Sequence, residues 1–213
     1  PPEWISTPSN PARMARRGAT GSVGVRTLGG SERQPERRSG VALAGARNVT
    51  LLAQQAARHR PPRLAVLDEN AKSRLADLLP SGYAPAIHCG PRGYADIASL
   101  DAADTVVSAQ VGAAGLAATH AAVRSGKTVA LANKESLVLA GHLLRTLARE
   151  TKSLILPVDS EHNAIFQCLA GQDRHSVSRI ILTASGGPFR GKDASFMERV
   201  TPAMALAHPN WSM

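Results

Sequence analysis

The sequence contains few aromatic residues, few cysteines and no long apolar run. Only 3% of its 213 residues are aromatic although 43% are hydrophobic, so a core must consist mainly of Ala, Leu and Val. No apolar run approaches the roughly 18 residues of a membrane span, which favours a soluble protein. Cys89 and Cys168 form no Cys-x-x-Cys pair. This spacing indicates neither a disulfide framework nor a zinc site and favours a reducing, cytosol-like compartment.

The net charge of +9 is concentrated in the first quarter of the chain. Residues 1–60 hold 10 Arg and 3 Glu, whereas residues 61–213 hold 15 Lys and Arg against 13 Asp and Glu. A nucleic-acid surface combines basic groups with stacking aromatics, yet no aromatic residue lies between Trp4 and Tyr83. We therefore expect no nucleic-acid partner.

The two ends of the chain lack regular patterns. Residues 1–17 show neither strand alternation nor helical periodicity, which predicts an irregular N-terminal segment, and their Arg and Ser content is similar to that of a transit peptide. There is no initiator Met, and no predicted helix or strand closes near Met213. We interpret the chain as a fragment.

From residue 18 onward, short apolar runs alternate with helical patterns. The runs predict buried parallel strands at Val41–Gly45, Arg63–Asp68, Asp104–Ser108, Lys127–Asn133, Ser153–Asp159 and Arg179–Ser185. The patterns predict helices at Val49–His59, Ala71–Leu79, Gly115–Ser125 and Glu135–Thr151. This alternation is typical of a doubly wound α/β sheet. We divide the chain into a domain at 18–150 and the start of a second, α+β domain at 151–213.

The first chemical motif is Gly18-Ala19-Thr20-Gly21-Ser22-Val23-Gly24. Its three glycines permit a tight turn and close approach to a phosphate, which a following helix N-terminus would bind; a plain turn remains an alternative. The next strand is followed by Arg47 and by no acidic residue, which favours the 2′-phosphate of NADP over NAD, unless Arg47 is only a solvated charge. Met14-Ala15-Arg16-Arg17 stands where the first strand should be, which counts against the site.

The second motif is Leu154-Ile155-Leu156-Pro157-Val158-Asp159-Ser160-Glu161-His162-Asn163, in which Asp159 lies at the end of a predicted strand. Ligands bind beyond the carboxyl ends of such strands, and two neighbouring carboxylates suit Mg²⁺ or Mn²⁺ better than zinc. Alternatively, Ser160 caps a helix and Glu161 faces its dipole. His162 and Asn163 are interpreted as structural partners.

Three further clusters follow strands or lie in loops. Lys134 could contact an anionic substrate or simply begin an exposed helix. Ser185, before Gly186 and Gly187, offers donors for a phosphate or marks a glycine turn. His208, Trp211 and Met213 fall in a predicted loop that could close as a lid.

The runs GATGSVG, VGAAGL, KTVALANKESLV, LPVDSEHNAIFQ, LTASGGPFR and HPNWSM, in this order, resemble the 1-deoxy-D-xylulose 5-phosphate reductoisomerase family from residue 18 to 213. The resemblance implies a Rossmann-like NADP-binding domain and an enzyme of the non-mevalonate isoprenoid pathway. Such an enzyme rearranges 1-deoxy-D-xylulose 5-phosphate and reduces the aldehyde with NADPH to 2-C-methyl-D-erythritol 4-phosphate. It uses Mg²⁺, Mn²⁺ or Co²⁺ as a Lewis acid and acts as a homodimer.

The resemblance also implies roles for individual residues. Cofactor contacts are implied for Thr20, Gly21, Ser22, Val23, Ala46, Arg47, Asn48, Asn133, Glu135 and Met213. Substrate contacts are implied for Lys134, Ser160, Glu161, Ser185, His208 and Trp211, and metal ligation for Asp159 and Glu161. The catalytic residues would be Lys134, Asp159, Glu161 and His208. Ala46 departs from the family, which usually has Gly there.

In the family, HPNWSM precedes a Ser, an Asn, a Lys and a Glu that complete the phosphate site and the metal ligands. None of them is in this sequence, so we predict that the 213-residue chain alone is inactive. The alternatives are a non-enzymatic remnant that binds nucleotide or a partner, and another NADP-dependent α/β oxidoreductase such as a semialdehyde or homoserine dehydrogenase. We expect a bacterial cytoplasmic location, with the plastid stroma as the alternative, and no membrane partner.

Overall fold

Seven parallel strands form one sheet in the computed structural model, which describes residues 12–34 and 36–209. The strands are β1 (Ala12–Arg17), β2 (Arg38–Ala44), β3 (Arg63–Val66), β4 (Ala86–Cys89), β5 (Thr105–Ser108), β6 (Thr128–Leu131) and β7 (Ile155–Pro157). Their order is β4-β3-β2-β1-β5-β6-β7. The chain builds outward on one side of β1 and then crosses to the other side at β5. The carboxyl ends of β1 and β5 therefore flank a crevice of the kind in which α/β sheets bind ligands.

Helices connect the strands and continue beyond β7. They are α1 (Ser22–Glu32), α2 (Val49–His59), α3 (Glu69–Leu78), α4 (Gly90–Ala98), α5 (Leu116–Arg124), α6 (Lys134–Thr151), α7 (Ser160–Leu169), α8 (Ala194–Met197) and α9 (Pro202–Leu206). None of these described helices is both long and apolar enough to cross a membrane.

Local sequence sets where α2 begins and ends. The Asn48 side chain accepts a hydrogen bond from the Leu51 amide at 3.0 Å, which caps the first turn. The helix stops at Arg60, whose φ of 43° is left-handed, and Pro61 follows it and cannot continue the helix.

The two faces of the sheet carry separate apolar clusters. Alternate residues of a strand point to opposite faces, so Ala42 and Ala44 of β2 join one cluster while Leu43 joins the other. The first cluster packs under α4, α5 and α6, and the second packs under α1, α2 and α3. Helices thus cover one face of the sheet from β3 to β6 and the other face from β2 to β4.

The last buried residue in the described part of the chain is Ser153, just before β7. No described residue between 154 and 209 is buried, and α7 contributes none to the core. This region has local helices and turns without an apolar core of its own.

The predicted α/β fold is confirmed. Five of the predicted strands overlap β2, β3, β5, β6 and β7, and the four predicted helices overlap α2, α3, α5 and α6. Because β7 pairs with β6, the sheet extends past the division at residue 150, which stays a prediction.

The prediction of an irregular segment at 1–17 is wrong for residues 12–17, which form β1 between β2 and β5. The polar pair Arg16-Arg17 hid the strand, since both side chains are only 1% exposed. Each finds a polar partner inside: Arg16 donates to the Ser31 hydroxyl and Arg17 to the Gln110 side chain. Residues 1–11 lie outside the described part of the chain.

The predicted strand at Arg179–Ser185 is also wrong. Ile180, Ile181 and Leu182 have no regular secondary structure and are more than 60% exposed. A strand needs a neighbouring strand for its backbone hydrogen bonds, and the described sheet ends at β7.

Candidate active site

The turn between β1 and α1 brings backbone amides to the carboxyl edge of the sheet. Gly18 has a φ of 73°, and a Cβ built on it would overlap the Ala109 carbonyl. The Gly21 amide donates to the Gly18 oxygen at 3.0 Å. Gly21 occupies the N-cap position of α1 without a side-chain cap, and the first turn contains no acidic residue. Unpaired helix amides with no competing carboxylate form an anion-binding end.

Gly24 allows α1 to lie directly against this turn. A Cβ on Gly24 would overlap the Gly18 carbonyl and the backbone of Ala19. The Gln55 side chain from α2 donates to the Ala19 oxygen at 2.9 Å. The glycine spacing therefore serves a close strand-to-helix approach, as in dinucleotide-binding folds.

The turn after β2 lies beside the first turn. Gly45 is buried, Ala46 is partly exposed, and Arg47 and Asn48 are exposed. The Tyr94 hydroxyl from α4 donates to the Gly45 oxygen at 2.8 Å and fixes the end of β2. Arg47 thus stands at the rim with its guanidinium accessible to a ligand.

A third turn, after β5, is held by Asn133 and Glu135. The Asn133 amide donates to the Gln110 oxygen at 2.5 Å and to the Gly112 oxygen at 3.0 Å, while Glu135 accepts from the Gly112 amide at 3.2 Å. Asn133 is 2% exposed. These two side chains shape the turn at 110–112 and do not extend into solvent.

Arg17 lies beneath these turns at the end of β1. Its guanidinium donates to Gln110, approaches the Gly115 oxygen at 3.5 Å and lies over the Tyr94 ring at 5.4 Å. Burial lowers the pKa of Arg17 to about 10 and raises the pKa of Tyr94 to about 12.

Asp159, at the N-cap position of α7, lies at the centre of a charged cluster. Lys134 at the start of α6 donates to its Oδ2, and His162 Nδ1 donates to its Oδ1, both at 2.8 Å. Burial raises the pKa of Asp159, but these hydrogen bonds outweigh it and keep the pKa below its ordinary value. The same contact with Asp159 raises the pKa of Lys134. This carboxylate is therefore ionised and oriented.

Ser160 and Glu161 occupy the first turn of α7. Ser160 is not the N-cap residue, so that alternative is wrong, although Glu161 does lie in the first turn. The Ser160 hydroxyl donates to Glu161 Oε2 at 2.9 Å. Within the described part of the chain, no group of three or more His, Cys, Asp or Glu residues is placed to hold a metal ion.

A pocket of about 320 Å³ is lined by Ser185 and His208 together with Arg190. The Ser185 hydroxyl accepts a hydrogen bond from the Gly187 amide at 3.3 Å. Hydroxyl, guanidinium and imidazole groups around one cavity suit a phosphate or a polyol. The pocket at Lys134 and Asp159, of about 140 Å³, shares no lining residue with it.

The structure thus groups most of the predicted site residues into three sets. The first set comprises Thr20, Gly21, Ser22, Val23, Ala46, Arg47, Asn48, Asn133 and Glu135; the second comprises Lys134, Asp159, Ser160 and Glu161, and the third Ser185 and His208. The Asn48 side chain caps α2, so its free groups are fewer than expected. Trp211 and Met213 lie outside the described residues.

Arg17, Gln110 and Arg190 were missed by sequence reasoning. Gln110 could have been found, since it lies two residues after the end of β5, at the ligand-binding edge. Arg190 lies close to the glycines at 186–187, and its side chain folds over Gly186. Arg17 gave no signal other than its place immediately before Gly18.

Comparison with protein families gives two matches along the chain. The profile of 1-deoxy-D-xylulose 5-phosphate reductoisomerase matches residues 17–141, and that of the C-terminal domain of the same enzyme matches residues 155–213. Two proteins named 1-deoxy-D-xylulose 5-phosphate reductoisomerase are close relatives. The one from Oleidesulfovibrio alaskensis is 62% identical over 95% of this chain and 50% of its own length, and the one from Nitratidesulfovibrio vulgaris is 58% identical over 100% and 52%.

Solved structures agree with these matches. The reductoisomerase from Zymomonas mobilis in complex with NADPH superposes with a TM-score of 0.85 at 46% identity, covering 94% of this chain and 52% of that one. A DOX-P reductoisomerase in complex with NADPH, fosmidomycin and magnesium superposes with a TM-score of 0.81 at 39% identity, covering 95% and 52%. The chain spans about half the length of these proteins.

Proposed function

Because the chain belongs to the 1-deoxy-D-xylulose 5-phosphate reductoisomerase family, we propose that it forms the NADPH-binding region and part of the catalytic site of such an enzyme. The enzyme would rearrange 1-deoxy-D-xylulose 5-phosphate and reduce the resulting aldehyde to 2-C-methyl-D-erythritol 4-phosphate. One observation carries the proposal: the glycine turn, the Arg47 turn and the Lys134–Asp159 pair all follow strands of one parallel sheet and so share its carboxyl edge. Membership of the family sets aside a semialdehyde or homoserine dehydrogenase.

NADPH would bind across the first three turns. The amides of Thr20–Val23 would hold the pyrophosphate, and the exposed Arg47, with Ala46 and Asn48 beside it, would meet the 2′-phosphate. Asn133 and Glu135 would act through the 110–112 turn, since their side-chain groups are already bonded there. Met213 is proposed from the sequence motif alone.

A divalent cation would be held by Asp159 and Glu161. Carboxylate oxygens fit Mg²⁺, Mn²⁺ or Co²⁺, and Lys134 and His162 already orient Asp159. The cation, when bound, would supply Lewis-acid polarisation of substrate oxygen atoms. A site with only these two carboxylates would bind it weakly.

The substrate would lie between the Lys134–Asp159 pocket and the Ser185–His208 pocket. Lys134, with its side chain 58% exposed, can reach an anionic group while it orients Asp159, and Ser160 borders the same turn. Ser185 and His208, joined by Arg190, would bind the phosphate and hydroxyl end. Trp211 would exclude water from the reacting aldehyde.

The 213-residue chain is proposed to bind NADPH without turning over substrate. Its nucleotide region has a buried core, whereas residues 154–209 have none. A non-enzymatic role in nucleotide binding is the second candidate, and the same absence of burial favours it. The full-length protein is proposed to be a homodimer, as the family resemblance implies. It is proposed to lie in the bacterial cytoplasm, since the relatives named above are bacterial.

The test is NADPH consumption with 1-deoxy-D-xylulose 5-phosphate and Mn²⁺, in this chain and in one extended to the length of the relatives. We expect turnover only in the extended chain. In that chain Asp159→Asn should abolish turnover, and Asp101→Asn, at an exposed position outside the site, should not. Turnover by the 213-residue chain would contradict its proposed inactivity, and no turnover by either chain would favour nucleotide binding alone.

A further inference from the structure

Arg17 is a buried cation without a counter-ion among the residues that the structure describes. It is 1% exposed, no described carboxylate forms an ion pair with it, and its Nε has no hydrogen-bond partner in the described residues. Burial lowers the pKa of Arg17, and the charge of an ionised Tyr94 would raise it. Tyr94, however, is neutral at physiological pH. A buried charge in this state lowers stability compared with an apolar side chain of similar size. Its presence therefore calls for a compensating role.

The contacts of Arg17 reach all three turns of the proposed nucleotide site. Its backbone leads directly into Gly18, its guanidinium donates to Gln110 in the turn after β5, and its face lies over Tyr94. Tyr94 in turn donates to the Gly45 oxygen at the end of β2. One side chain thus links the ends of β1, β2 and β5.

The charge of Arg17 lies directly under the carboxyl edge of the sheet, where the proposed anion-binding groups are. The uncapped amides of α1 and the exposed Arg47 surround the same edge, and the interior between them has a low dielectric constant, in which a charge acts over longer distances than in water. The phosphates of a dinucleotide are the anions that would lie there. Binding would supply the counter-charge that no described residue provides.

We propose that Arg17 is a positioning residue of the dinucleotide site, which fixes the three turns and carries a positive charge that the bound phosphates neutralise. This inference rests on the proposed binding of NADPH. Arg17 does not touch the ligand, since its side chain is enclosed by Gln110, Gly115 and Tyr94.

The experiment measures the Kd of NADPH by fluorescence titration at low and high salt, with the melting temperature of each variant without ligand. Arg17→Leu should weaken binding about tenfold or more, by a similar factor at low and high salt because a buried charge is screened little, and should leave the unliganded melting temperature equal or higher. Arg17→Lys should weaken NADPH binding, because Lys lacks the planar guanidinium donors of Arg, but the salt dependence of Kd should not change. Gln110→Ala, which removes the tether and not the charge, should behave like Arg17→Lys.

Arg16→Met is the matched control, because Arg16 is equally buried but lies against Ser31 on the other face of the sheet. It should change Kd by no more than about twofold. Normal NADPH binding by the parent chain with unchanged affinity in Arg17→Leu overturns the inference alone. If Arg17→Leu does not fold, equal NADPH affinity in the parent, Arg17→Lys and Gln110→Ala chains overturns it. If the parent chain itself fails to bind NADPH, both the proposed cofactor and this inference are wrong.

Discussion

At the residue scale, two glycines of α1 have opposite surroundings. A Cβ on Gly24 would overlap the backbone of Gly18 and Ala19, whereas one on Gly29 would meet no atom within 4 Å. Gly29→Ala should raise the free energy of unfolding by up to about 1 kcal/mol through helix propensity. Gly24→Ala should lower it by about 1–3 kcal/mol, as overpacking does, and should weaken NADPH binding.

Urea denaturation of the two variants measures this difference, and each serves as the control for the other. Equal effects on stability would mean that α1 does not lie against the glycine turn as described.

A second residue-scale prediction concerns the pair Arg13–Asp104, which joins the starts of β1 and β5. Arg13 Nη2 donates to Asp104 at 2.7 Å, and this hydrogen bond is the main reason why the pKa of Asp104 is lowered. The unfolded chain therefore binds the proton more readily. The stabilisation is present above the unfolded pKa of about 3.9 and is lost as the pH falls through the lower folded value.

Asp104→Asn should accordingly lower the melting temperature at pH 7, and the difference from the parent chain should shrink as the pH falls below about 4. Asp101→Asn is the control, since Asp101 is exposed and has no ion pair among the described residues. A loss of stability in Asp104→Asn that stays constant down to acid pH would show that charge is not its cause.

The candidate site could be predicted where chemistry follows a strand end. Asp159 and Lys134 could be singled out because each comes just after an apolar run, and that position alone predicts that they lie at the ligand-binding edge. Arg17 could not be found, because an Arg in a strand position is expected to be exposed. Its burial depends on Gln110 and Tyr94, which lie about 90 and 75 positions further along the chain.

At the scale of elements, the strands that could be predicted are those whose burial shows in their composition. β3 is apolar on both faces, since helices cover both sides of the sheet at that strand, and β5 contains the buried Val106 and Val107. β4 (Ala86–Cys89) includes a His and lies at the edge, so its pattern is weak. The run at 179–185 has the composition of a buried strand but lacks a pairing neighbour, which no local pattern can reveal.

Residues 154–209 are therefore expected to open more readily than the sheet. Few buried contacts mean a low free energy of local opening, and α7 to α9 bury no residue. Hydrogen exchange should show protected amides in β1, β2, β5 and β6 and fast exchange beyond residue 160. Protection of 179–183 equal to that of β5 would contradict this and would indicate a pairing partner for that segment.

At the scale of the whole molecule, the sheet is buried and residues 154–209 are not. The two proposed ligands, NADPH and a divalent cation, would therefore bind parts of the chain that differ in stability. NADPH would bind turns anchored in both apolar clusters, so its binding energy adds to the stability of the cooperative core. The carboxylates of Asp159 and Glu161 lie in the region without buried residues, where a bound ion would stabilise only local structure. The two ligands should therefore affect the melting temperature differently.

NADPH at about 100 times its Kd should stabilise the chain by about 2.7 kcal/mol, visible as a higher melting temperature by circular dichroism. Millimolar Mg²⁺, compared with EDTA, should leave the melting temperature unchanged because two carboxylates bind the ion weakly. Asp159→Asn should keep the full response to NADPH, whereas Gly24→Ala should reduce it. A rise with Mg²⁺ as large as that with NADPH, lost in Asp159→Asn, would mean that the chain contains a third ligand and that residues 154–209 are coupled to the core.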